Sequence, residues 1–386
     1  MILHSHLRPA VPRLRALPYP FLGALAISSD AEGFEAGFFH ALMSYLNGRG
    51  RTPFGKGLGL EVTTSLFFYD RTGASLAYFA EPLPGAARGR EADRLDDCLR
   101  AGWIDTNHAF GDFEGGGFTR DHALYAYEAL GRLGVKLPVF TNHGSADNRQ
   151  NVGTDADYHA GDRPGDPAYH SDLFAAQGVR FVWTDSLCIE TPRPDPEPLL
   201  QPETLQDGTA LLGVRRLRGT GRHAPNLTSL TSQIRLLALE RLYAGQGVAV
   251  LYQHLGVLRR APDRLVPGSI DEVLARPELF LAPFRHLARE RDEGRLWVAG
   301  LARLLRYAEA VSSVRLSGGQ GIGRIELHDP PHAVLDPAGL TLYIDPSLPV
   351  AVLHHGRELP IRHNGPDETG RYSVTVAQDR LPDIWS

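Results

Sequence analysis

The sequence predicts an α/β protein: a (β/α) barrel of seven to eight strands over residues 1–310, then a small all-β module, a sandwich, over 311–386. Three observations carry this. Short apolar runs alternate with helical patterns as far as residue 310, as in a parallel α/β arrangement. Seven or eight such strands over about 300 residues suit a barrel better than one open sheet, although spacing alone leaves the open sheet standing. After Val311 the helical periodicity stops, and short apolar segments split by Pro, Gly and Asp take over. A chain of 386 residues has room for one large barrel and an appendage.

The elements follow in order. Phe21–Ile27 reads as a strand and Gly37–Asn47 as a helix ended by Gly48. Leu60–Phe68, rich in β-branched and aromatic residues, is the second strand. Asp93–Ala101 is a short helix and Gly102–His108 a strand. Thr119–Gly131 is a helix capped by Thr119, in a register that buries Leu124, Tyr127 and Leu130. Leu137–Thr141, Val179–Thr184 and Val248–Tyr252 are further strands, and Ser229–Ala244 is one amphipathic helix. Glu190–Glu203 carries five Pro and reads as a surface loop, because Pro cannot donate to a ladder. Helices at Pro283–Arg291 and Leu301–Ala310 flank a last strand at Arg295–Val298. In the β module, strands are expected at Arg324–Leu327, Leu340–Ile344, Val350–His354, Glu358–Arg362 and Gly370–Val376.

Composition removes several classes. Hydrophobic residues at 42% and charged residues at 22% are the balance of a globular chain, which excludes disordered and coiled-coil architectures. A net charge of −5 gives no reason to expect a nucleic-acid partner. Lysine occurs only at Lys56 and Lys136 and every other basic residue is arginine, which reflects base composition rather than chemistry. No run is long enough to span a membrane. Met1–Phe21 is interrupted by Arg and Pro and makes a poor signal peptide, so a cytoplasmic location is expected. With only Cys98 and Cys188, any metal must be held by His and carboxylate.

In parallel α/β folds chemistry gathers where strands end. Ser28-Ser29-Asp30-Ala31-Glu32-Gly33 follows the first strand. Asp105-Thr106-Asn107-His108-Ala109-Phe110-Gly111-Asp112 closes the third. Asn142-His143-Gly144-Ser145, Thr184-Asp185-Ser186 and Gln253-His254-Leu255-Gly256 follow three others. Five strand ends bearing Asp, Glu, Asn or His exceed what packing requires. Carboxylates and imidazole with an open position suit a catalytic metal, which polarises a carbonyl and acidifies bound water. His108 and Asp112 are four apart and reach one ion if a helical turn follows the strand; otherwise Asp112 only opens the Gly-rich loop to Gly117.

These motifs, in this order, resemble the polysaccharide deacetylase superfamily, which includes chitooligosaccharide and peptidoglycan deacetylases; the resemblance covers residues 20–310. Asp30-Ala31-Glu32 is similar to its first motif in spaced form, which implies Asp30 as general base and Glu32 as metal ligand. His108 through Asp112 has the spacing of its second motif, with Asp112 where a second His is usual, so His108 and Asp112 are implied ligands. Val62–Phe68 looks like its second strand. Phe140–Gly144 falls where an Arg-Pro motif is expected; no Arg is present, and His143 is either its substitute or itself a ligand. Val179–Asp185 resembles the strand bearing a Trp and an Asp. Leu251-Tyr252-Gln253-His254 resembles the final motif, whose His implies a general acid in His254.

The resemblance implies a distorted (β/α) barrel and a metal-dependent hydrolase that removes an N-acetyl group from an amino sugar or N-acetylated glycan. Asp30 and His254 would be catalytic, Glu32, His108 and Asp112 metal ligands, and Asn107, Asn142, His143, Asp185 and Trp183 substrate-binding or supporting. The ion would be zinc, with cobalt, nickel or manganese as alternatives, since a second carboxylate in place of a His favours a harder ion. Two rivals stand beside this: a metal-independent glycosidase using a pair of Asp30, Glu32, Asp112 and Asp185, and a non-catalytic carbohydrate-binding relative. Trp183 and Tyr252 have a core reading, and Arg215-Arg216-Leu217-Arg218 reads as a solvated strand face. Arg222 and His223 are candidate substrate contacts. His4-Ser5-His6 resembles a metal motif but precedes Pro-rich sequence.

Overall fold

The first apolar run forms β1 (Gly23–Ser29), and all seven of its residues are buried. Its side chains alternate between two faces. Leu25 and Ile27 join the apolar cluster of Phe38, Leu42 and Leu46 from helix α1 (Ala36–Asn47), whereas Ala24 and Ala26 join Leu301, Leu304 and Leu305 on the other side. A strand covered on both faces reads as a continuous apolar run for this reason. The structure, a computed structural model, describes residues 13–71, 75–144, 148–192, 198–221, 224–261, 264–319, 323–330 and 334–385.

The succeeding strands are β2 (Thr63–Leu66), β3 (Ile104–His108), β4 (Val139–Thr141) and β5 (Phe181–Trp183). Then come β6 (Cys188–Ile189), β7 (Leu200–Thr204), β8 (Ala210–Val214), β9 (Arg216–Leu217) and β10 (Val248–Gln253). They hydrogen-bond in the order β6-β9-β10-β1-β2-β3-β4-β5-β8-β7, and β11 (Leu296–Val298) pairs with β1 off this path. All neighbours are parallel except the β7–β8 hairpin. Arg215 alone separates β8, which pairs with β5, from β9, which pairs with β10. One short stretch of chain therefore spans both arms of the path, and the sheet curls into a half-barrel. The chain is mixed α/β with a mostly parallel sheet of more strands than the seven or eight expected. The additional strands are the two-residue β6 and β9 and the β7–β8 hairpin. Residues 200–203 were expected as loop; they form most of β7, an edge strand that tolerates Pro202.

Helix α2 spans Ala92–Ala101, and α3 (Arg120–Leu133) begins at the expected cap, where Thr119 and His122 form a reciprocal capping box. Tyr127 and Leu130 are buried as expected, but Leu124 is 43% exposed; His122, Ala123 and Ala126 make the inward face instead. The single helix expected over 229–244 is broken at Ala238, whose φ is 51°, into α4 (Leu230–Leu237) and α5 (Leu239–Ala244). Helices α6 (Ala282–Asp292) and α7 (Leu301–Ser313) complete this part.

After α7 there are two small sheets. One contains β12 (Arg315–Gly319), β13 (Arg324–His328), β15 (Ala351–His354) and β16 (Arg357–Glu358) in sequential order; the other runs β14 (Thr341–Tyr343), β18 (Ser373–Val376), β17 (Ile361–His363). Their inward side chains, Leu327 and Val352 from one and Leu342 and Val374 from the other, share an apolar cluster with Leu304 and Leu305 of α7. Leu14 bridges to Leu342, and the fully buried Arg15 guanidinium donates to the carbonyls of Leu17, Pro18 and Phe21. Among the described residues no helix is long and apolar enough to cross a membrane.

Candidate metal centre

The aligned strand ends bring the predicted polar residues together. Asp30 directly follows β1, His108 ends β3, His143 lies two residues past β4, Asp185 two past β5, and His254 directly follows β10. The ends of β1 and β10 are stitched: the Asp30 amide donates to the Gln253 carbonyl (2.8 Å) and the Leu255 amide to Ser29 Oγ (3.0 Å). Beyond β4 two asparagines fix the loop. Asn142 exchanges two hydrogen bonds with the Val152 backbone, and Asn151 exchanges two with the His143 backbone. Asn142 thus ties its own loop to Val152, and Asn151 holds the His143 backbone.

The turn after β3 is left-handed. Ala109 and Phe110 have φ of 45° and 64°, and Gly111 has φ of 143°. Asn107, fully buried, accepts from the Phe110 amide (3.2 Å) and supports this turn. A Cβ at Gly111 would lie 1.8 Å from the Tyr69 carbonyl oxygen, so only glycine fits. No helical turn follows His108, and the shared-face argument for His108 and Asp112 does not hold. Asp112 instead sits 3.6 Å from His143 Nε2.

Glu32, His108 and His143 make one grouping able to hold an ion, with one ligand atom from each lying within 4.8 Å of the others, and Asp30, Glu32 and His254 make a second that shares Glu32. His143 Nδ1 is 3.1 Å from Glu32 Oε1, and His108 Nδ1 is 3.7 Å from Glu32 Oε2. Glu32 Oε2, His108 Nδ1 and His143 Nδ1 are buried with no hydrogen-bond partner. His143 thus takes the place that Asp112 was expected to fill, and Asp112 occupies the outer nitrogen of that imidazole, the position of a carboxylate that orients a ligating His. Phe67 stacks on His108 (4.9 Å between centroids) and meets His143 edge-on.

Asp30 and His254 flank the group. His108 Nε2 is 3.6 Å from Asp30 Oδ2, and His254 Nε2 is 3.4 Å from Glu32 Oε1. His254 Nδ1 lies 2.9 Å from the Pro225 carbonyl, which can only accept; Nδ1 therefore carries a proton and Nε2 faces the site.

Arg216 is the residue that sequence reasoning missed. It was expected on a solvated face, yet it is fully buried. Its guanidinium donates to both Asp30 oxygens (2.8 and 3.3 Å) and to Ser28 Oγ (3.1 Å). It lies 3.7 Å from the Trp183 ring centroid and 4.1 Å from that of Tyr252. The two aromatics are walls for this cation. Their positions at strand ends beside Asp185 and His254 were the available signal. Asp185 is at the exposed rim, on a short 3-10 turn. His4, His6, Arg222 and His223 lie outside the described residues.

The electrostatics suit a cation. Burial would raise the Glu32 pKa, but the neighbouring His254 and His108 outweigh it, and the carboxyl is held well below its ordinary value. Burial lowers His108 to about 4, so its imidazole is neutral, as a ligand must be. For His143, burial is overcome by the flanking Asp112 and Glu32 carboxylates, which raise it to about 10. His254 is also raised, by Glu32 against burial. Three carboxylates, Asp30, Glu32 and Asp112, face one guanidinium; neutral imidazoles would leave the site negative, and a bound ion supplies the positive charge that protons supply without it. The donor set and its unpartnered atoms therefore fit a divalent metal. No family model matches the chain, and no curated protein matches it in sequence.

Proposed function

We propose that the chain is a metal-dependent hydrolase that removes the N-acetyl group from an amino sugar or an N-acetylated glycan. The observation that carries this is the grouping of Glu32, His108 and His143 between a clamped carboxylate, Asp30, and a third imidazole, His254. A divalent ion held by Glu32, His108 and His143, zinc first among the candidates, would polarise the acetyl carbonyl and acidify a water. Arg216 holds the Asp30 carboxylate by both oxygens and so fixes the orientation of a group that would serve as general base toward a water. His254 keeps Nδ1 on the Pro225 carbonyl and presents Nε2, which delivers a proton to the leaving amine.

The sugar substrate rests on the resemblance to polysaccharide deacetylases, and in that reading the curled sheet is their distorted barrel. Arg216 supplies the base-orienting guanidinium that the region around His143 lacks. The test is metal content together with acetate release from chitooligosaccharides. We expect about one bound ion per chain in the first site, chelator-sensitive acetate release, and loss of ion and activity together in His108→Ala. Sugar cleavage that survives chelation would favour the glycosidase, and an ion-free, inactive protein the binding-only relative.

A further inference from the structure

The four-stranded sheet of the C-terminal part holds a side-chain cluster that the proposed chemistry does not use. β13 and β15 are parallel neighbours with Leu327 opposite His354, so Asp329, just past β13, emerges beside the end of β15. β15 turns back into β16 through His355-Gly356, with His354 opposite Arg357. Both turn residues have positive φ, 52° and 72°, the pattern of a two-residue hairpin turn. Consecutive residues of an extended strand point to opposite faces. The left-handed backbone at His355 defeats that alternation and leaves the two imidazoles 4.1 Å apart between centroids. Both then meet the same carboxylate: His354 Nε2 is 2.7 Å from Asp329 Oδ1, and His355 Nε2 is 3.1 Å from Oδ2.

We propose that Asp329, His354 and His355 form a second divalent-metal site, which clips the β15–β16 turn to the end of β13. One ligand atom from each lies within 4.8 Å of the others. Ligand bonds near 2.0–2.1 Å at tetrahedral angles place donors about 3.3 Å apart, so the contacts present, at 2.7 and 3.1 Å, need to open by about 0.6 and about 0.2 Å. The Leu335 amide donates to Asp329 Oδ1 (3.1 Å) and orients the carboxylate from behind. The neighbouring His328 is engaged elsewhere, with Nε2 2.6 Å from Ser317 Oγ. Two imidazoles and one carboxylate select a borderline ion such as Zn²⁺ over Ca²⁺ or Mg²⁺. The His355 side chain, 64% exposed, leaves the site open to solvent and to exchange.

The test uses the full chain stripped with chelator and titrated with zinc chloride. The comparison is His354→Gln/His355→Asn, since asparagine accepts the left-handed turn position. By equilibrium dialysis the double variant should bind one zinc equivalent fewer than the wild type, whatever the first centre binds. Equal stoichiometry overturns the proposal. Failure of the first centre lowers both proteins together, so the two readings separate. The second measurement needs no variant: zinc should suppress carbethoxylation of the peptide bearing His354 and His355, read by mass spectrometry. Equal labelling with and without zinc would refute the site even if the double variant does not fold.

Discussion

Replacing Arg216 with methionine isolates what the buried clamp on Asp30 does. The two side chains are 0% and 1% exposed, and the guanidinium makes three side-chain hydrogen bonds between two aromatic rings. Methionine fills much of the volume but leaves the Asp30 carboxylate buried without its partner. Breaking one side of a buried pair costs about 3–5 kcal/mol, and the lost desolvated cation–π contacts add about 2 kcal/mol at most. Removing both charges in Arg216→Met/Asp30→Asn should recover much of that loss, because no unpaired buried charge remains. We expect a coupling of about 2 kcal/mol or more in the double-mutant cycle. Urea unfolding followed by far-UV circular dichroism measures all four corners. A single-variant loss below about 1 kcal/mol, or strictly additive losses, would refute the reading of Arg216 as the counter-charge of Asp30.

Three other perturbations test separate parts of the structure. Asp112→Asn keeps Glu32, His108 and His143 but weakens the carboxylate behind His143; metal affinity should fall about 10- to 100-fold while the protein stays folded, measured by competition with a chelating dye. Gly111→Ala forces a Cβ onto the Tyr69 carbonyl at a φ of 143°, so the soluble yield and the unfolding midpoint should both drop sharply, whereas Gly131→Ala, inside α3 with nothing within 4 Å of the new Cβ, should leave both unchanged or slightly raised. Asp105 is buried, and burial raises its pKa from 3.8 to about 6 despite the Ala302 amide that it accepts from. The unfolded chain ionises this group first, so the folded state loses stability as pH rises towards 6; relative to Asp105→Asn, the wild type should lose about 1.4 kcal/mol between pH 5 and pH 7.5, and a pH-independent difference in urea unfolding would refute this.

Much of the candidate centre was legible because strand ends are local features. Asp30 and Glu32 follow β1 by chain adjacency, and His108 and His254 lie at or just after apolar runs whose periodicity marks them as strands. The sequence offered His143 as a ligand beside Asp112, but the choice between them was not legible. It depends on three successive positive φ angles after β3 and on Asn151 gripping the His143 backbone. Arg216 was hidden by its own neighbourhood, since in Arg215-Arg216-Leu217-Arg218 nothing distinguishes the buried guanidinium from the others.

What the sequence determined by itself was the order of strands β1–β5, β10 and β11, the change to β structure after residue 310, and the acids and imidazoles that share strand ends, because each is written in side-chain pattern over a few residues. The tertiary structure alone decided how many strands the sheet takes up, which imidazole faces Glu32, and that Arg216 pairs with an acid 186 positions earlier in the chain. It alone also placed Asp329 against His354 and His355. These are contacts between distant segments, set by register, by left-handed backbone and by burial, and no local pattern encodes them.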